Sequence, residues 1–69
     1  MLWLIIGDYS HQIVSCNLFS ENGKHQLWVT RPNNLGLKVK ESDNIEEIRE
    51  LKEAIDFAIE NKYSTFKLS

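Results

Sequence analysis

Residues 16–29 read CNLFSENGKHQLWV, and the Asn22-Gly23 pair at their centre decides the fold. A two-residue type I′ hairpin needs positive φ at both central positions, which Asn and Gly tolerate. Centring a hairpin there sets Leu18 opposite Leu27 and Cys16 opposite Val29, with Asn17 against Trp28 and Ser15 against Thr30 on the other side. One face is then uniformly apolar and the other mixed, as a half-buried antiparallel sheet requires.

Working outward, the first forty residues divide into four apolar, β-branched or aromatic runs: Leu2–Ile6, Gln12–Phe19, Gln26–Arg31 and Leu35–Lys40. Breaks are expected at Asp8-Tyr9-Ser10, at Asn22-Gly23 and at Pro32-Asn33-Asn34. In the fourth run Leu35, Leu37 and Val39 alternate with Gly36, Lys38 and Lys40. The first run is apolar on both faces, so its alternation does not choose between Leu2, Leu4 and Ile6 or Trp3 and Ile5 as the inward set.

From about Asn44 the apolar period changes from 2 to 3.6. Ile48, Leu51, Ile55, Ala58 and Ile59 fall on one stripe, flanked by Ile45 and Ala54, which predicts a helix over about 44–61 covering the apolar face of the sheet. Asp43 is the expected cap, with Glu46 three residues on as in a capping box, and Ser42 competes with it. Thr65-Phe66-Lys67-Leu68 alternates as a short C-terminal strand or a packed tail would. Together these give one small α+β domain over 1–69: a four-stranded antiparallel meander with one amphipathic helix packed on one face.

Sixty-nine residues bury only about 60% of the surface of the unfolded chain, so a modest core is expected. Cys16 is the single cysteine and has no internal partner for a disulfide. A small secreted domain usually carries several, so a reducing, cytoplasmic setting is expected. The N-terminal apolar run has no basic flank and is too short for a signal peptide or a membrane span, and no membrane association is expected. Charge is unevenly placed. Residues 1–40 carry four cations against two carboxylates, a net of +2, and residues 41–69 carry four against eight, a net of −4.

No spacing carries chemistry. Cys16 lies on the apolar face, where a free cysteine behaves as a small hydrophobe. His11 and His25 sit near opposite ends of the second run and its hairpin with no ligand spacing between or around them, so no metal or other cofactor is expected. Asp8, Ser10 and His11 share one turn and cannot take the roles of a triad. Gly7, Gly23 and Gly36 are too scattered to cradle phosphate. The chain therefore reads as a non-enzymatic protein-interaction module, an adaptor or an inhibitor, with two candidate surfaces. The first is the outer face of the helix, where Glu46, Glu50, Glu53 and Glu60 surround Phe57. An aromatic anchor with an acidic rim suits a partner with a basic surface, and Arg49–Glu53 would support that face at i,i+4. The second is the sheet face away from the helix, expected to expose Ile13, Phe19 and Trp28, with Trp3 or Leu4, beside Lys38 and Lys40. It suits a partner or a homodimer, or, as the alternative function, the bases of a single-stranded nucleic acid. Two lysines make a thin electrostatic funnel for that alternative.

Overall fold

The computed structural model describes residues Met1–Leu68. Its elements are β1 (Leu2–Ile6), β2 (Tyr9–Ile13), β3 (Ser15–Glu21), β4 (Lys24–Arg31), a 3-10 turn at Pro32–Asn34, β5 (Leu35–Ser42), α1 (Ile45–Glu60) and β6 (Thr65–Leu68). The fold is α+β, with the antiparallel meander β3-β4-β5 and α1 packed on one of its faces. The Asn22-Gly23 turn has φ of 53° and 77°, and the register is the expected one, with Leu18 opposite Leu27 and Cys16 opposite Val29.

The strand count differs from four. The run Gln12–Phe19 is divided at Val14, which lies in no strand and donates its N–H to the Thr30 carbonyl at 2.8 Å. Ile13 and Cys16 are both buried, although an uninterrupted strand puts residues three apart on opposite faces. The chain resolves this by turning the corner at Val14, and β2 leaves for a second sheet. That sheet has the order β2-β1-β6, with β1 and β2 antiparallel and β1 and β6 parallel. The first turn lies at Gly7-Asp8, where Gly7 has φ of 58°, and Tyr9 and Ser10 already belong to β2. The C-terminal segment is a strand. In β1, Leu2 and Leu4 point inward and Trp3 outward.

Leu2 and Leu4 from one sheet, Ile13 and Cys16 on either side of the corner, Leu27 and Val29 from β4, and Ile48, Ile55 and Ala58 from α1 form one buried cluster. Its buried members are all apolar apart from the Cys16 thiol, so the core is held by hydrophobic burial rather than by a polar network.

Both helix ends are explicit. Asn44 is the cap, its side-chain oxygen accepting from the Glu46 N–H at 3.1 Å, in place of the expected Asp43. Ser42 acts one step earlier, accepting from the Asn44 N–H and donating to Glu47 Oε2. At the other end Lys62 adopts φ of 57°, Lys62 N–H donates to the Ile59 carbonyl, and Tyr63 N–H donates to the Ala58 carbonyl. This is the Schellman stop, with Lys62 in the position glycine usually takes.

Candidate partner-binding surface

On an ideal helix at 100° per residue, Phe57 lies opposite the stripe through Ile48 and Ile55. Glu46, Glu50, Glu53, Phe57 and Glu60 are all exposed in the structure. Phe57 keeps 54% of its surface in solvent. Its neighbour is Tyr63, itself half exposed, with ring centroids 5.9 Å apart and planes at 90°. The Schellman stop explains that contact: it folds the chain back so that the second residue past the cap meets the last turn of the helix, a common apolar partner of the motif. Tyr63 thus joins Phe57 as a second exposed ring and does not bury it.

The carboxylates around these rings divide into two groups. Glu46 is paired with Arg49 at 2.9 Å, so Arg49 turns to Glu46 rather than to Glu53. Glu50, Glu53 and Glu60 have no ion-pair partner among the described residues. Nearby on the flank, Glu47 is engaged by Lys40 at 3.1 Å and by Ser42, and these two partners hold its carboxyl below the usual carboxylate range. On the other flank Lys52 bonds Asp56 at 2.6 Å, which raises the Lys52 ammonium pKa.

The open sheet face differs from expectation at three places. Neither Trp3 nor Leu4 is on it, because β1 belongs to the other sheet, where Leu4 is buried and Trp3 exposed. Ile13 is not on it: the corner at Val14 turns Ile13 into the core, where it is 1% exposed. Lys40 is not on it either. A bulge between the β4 and β5 ladders pairs Lys38 with Trp28 but Lys40 with Leu27, leaving Val39 as the extra residue. One inserted residue reverses the parity of everything after it, and Lys40 points to the helix side and meets Glu47. Phe19, Trp28 and Lys38 remain. Phe19 is exposed, Trp28 is half buried against Gly36 with its indole N–H on the Gln26 side-chain oxygen at 2.8 Å, and Lys38 is paired with Glu41 at 2.9 Å. That pairing holds the Glu41 carboxyl below its usual range.

A groove of about 580 Å³ opens where α1, β5 and the end of β6 meet, lined by Val39, Lys40, Glu47, Leu51, Phe66 and Leu68 among others. It depends on which strand edges end up adjacent, so no local pattern announces it.

Burial pushes the Cys16 thiol up to about 11, with Asp56 adding to the effect and Lys52 opposing it; a nucleophilic cysteine needs the opposite shift. Ser20 Oγ lies 2.6 Å from His25 Nδ1, on the exposed end of the β3–β4 hairpin. No three His, Cys, Asp or Glu residues are placed to share a metal ion among the described residues. Among the described residues, no helix is long and apolar enough to cross a membrane. No protein-family model, no curated protein and no solved structure matches the chain.

Proposed function

We propose that this chain is a non-enzymatic protein-interaction module, an adaptor or inhibitor that docks the outer face of α1 on a basic protein surface. The observation that carries the reading is the half-exposed Phe57–Tyr63 pair set among Glu50, Glu53 and Glu60, carboxylates with no cation of their own among the described residues. Exposed aromatic rings are costly to leave in water and are the commonest anchors when a partner covers them. Unpaired carboxylates around them steer a cationic partner and suppress anionic ones. The same face would repel nucleic acid, and of the two lysines expected on the sheet face only Lys38 is there, already paired with Glu41.

The test compares immobilised wild type with Phe57→Ala and Glu53→Lys for retention of basic proteins from a cell extract, at a series of salt concentrations. A bound protein should lose about thirtyfold or more in affinity with Phe57→Ala, the scale of an anchor residue. Glu53→Lys should instead slow association and flatten its salt dependence. Equal retention by all three proteins would remove the helix face as the binding surface.

A further inference from the structure

The geometry points to β3 as a self-association edge, at which a second copy of this chain adds its own β3 antiparallel to make one continuous six-stranded sheet. β3 is the outermost strand of its sheet. A two-residue loop makes Glu21 and Lys24 a hydrogen-bonded pair, and the same holds for every second pair along the ladder: Phe19 with Gln26, Asn17 with Trp28, Ser15 with Thr30. The backbone N–H and C=O groups of Cys16, Leu18 and Ser20 therefore point away from β4.

Natural sheets blunt such an edge with lysine, proline, a bulge or brevity. Among the other edge strands, β5 has its bulge with Lys38 and Lys40 beside it, β6 is four residues long with Lys67, and β2 carries no lysine or proline but is brief, at five residues. β3 has seven residues, an unbroken register, no lysine, arginine or proline, and one charge, Glu21, at its hairpin end.

The strand is also self-complementary. A two-fold axis through Leu18 sets Leu18 opposite Leu18 and Cys16 opposite Ser20 of the second copy, so the three outward-pointing residues of each strand pair with one another, with two bonds per pair. Moving the axis by one residue loses one of these pairs. With the axis at Leu18, Glu21 faces Ser15 and the only charge of each strand sits at the far end from its counterpart, so nothing repels. On the open face Phe19 of one copy then lies beside Asn17 of the other, in the row that continues to Trp28, and the exposed Phe19 ring gains a neighbour it lacks in the single chain.

The test measures mass by sedimentation equilibrium for wild type and Ser20→Pro, up to about 1 mM, the weak end of specific association. Proline at Ser20 removes a donor that faces the edge and leaves the β4 ladder intact. Doubling of the wild-type mass with Ser20→Pro monomeric and an unchanged circular dichroism spectrum is the expected result. A monomeric wild type would overturn the proposal, as would a dimer that survives Ser20→Pro. Should Ser20→Pro unfold, mild oxidation of Leu18→Cys in a Cys16→Ser background decides. Opposed residues in such a pair have Cα atoms about 5.5 Å apart, within disulfide reach. Rapid covalent dimer formation by Leu18→Cys and not by Ser20→Cys in the same background supports the register, and any other pattern refutes it. Phe57→Ala should leave the dimer unchanged, so this edge and the helix face fail or succeed separately.

Discussion

Replacing Phe57 with alanine separates a binding anchor from a buried ring, and the structure fixes how large the stability change should be. A fully buried aromatic side chain withdraws about 150–250 Å² from water. Phe57 is 54% exposed, so a little under half of that area, roughly 90 Å², is at stake, or about 2 kcal/mol at ~25 cal/mol per Å². Two corrections reduce it. The unfolded chain already shields part of its apolar surface, by roughly 10–40%. Alanine is also the better helix former at an exposed helical position, by about 0.5 kcal/mol. The net loss should be about 1 kcal/mol, a fall in Tm of about 4–8 °C for a domain of this size.

Much of that loss belongs to the edge-on contact with Tyr63. A cycle of Phe57→Ala, Tyr63→Ala and the double variant should therefore return a coupling of about 0.5–1.5 kcal/mol. Urea denaturation followed by circular dichroism is a sufficient assay. A loss of about 3 kcal/mol or more would mark Phe57 as a core ring. The outer face of α1 would then be an ordinary solvated surface, and the argument for it as a docking site would go. Coupling near zero would show that the Schellman fold-back does not hold the two rings together in solution.

Asn44→Ala should cost about 1 kcal/mol by removing the side-chain bond to the Glu46 N–H, while Asp43→Ala should change little; the reverse order would move the cap back to Asp43. Lys62→Gly should raise Tm, since Lys62 occupies a left-handed conformation at φ of 57° that costs a side-chain-bearing residue about 1 kcal/mol; an unchanged or lower Tm would refute the Schellman assignment. Cys16 gives a pH test. Its folded pKa of about 11 lies above the ordinary 9.0, so the buried thiol contributes stability that is complete below about pH 9 and is lost as pH rises from there through 11. Wild type should therefore lose stability relative to Cys16→Ala across that window, and a constant difference between the two would show that the thiol is not buried.

The hairpin and the helix are legible in the sequence for the same reason: each rests on a local rule with one solution. Asn22-Gly23 allows one tight turn, and that turn sets the register of every residue from Ser15 to Thr30. The helical stripe from Ile48 to Ile59 has one period and one buried side. The cap falls at Asn44, one residue past the expected Asp43, because Ser42, Asp43 and Asn44 are all good caps and the choice depends on where Glu47 and Lys40 meet. The groove between α1, β5 and β6 has no local signal, since it exists only once β6 has paired in parallel with β1, sixty residues away along the chain.

Strand parity is where local rules stop deciding. Counting in twos puts Ile13 and Lys40 on the open face, but each count crosses an inserted residue: Val14 at the corner between the sheets, and Val39 at the bulge. Neither insertion carries a glycine or proline to announce it; both are valines, good strand formers in their own right. The consequence is functional. With Lys40 drawn to Glu47, the open face keeps Lys38 alone of the two lysines, and the case for nucleic-acid binding there loses one of the two charges on which it stood. A helix has no equivalent hazard over sixteen residues without proline or glycine, because the 100° step is not reset along its length. The Glu50, Glu53, Phe57 and Glu60 surface is therefore legible in the sequence, and the turn at Lys62 brings the ring of Tyr63 back onto the same face without burying Phe57.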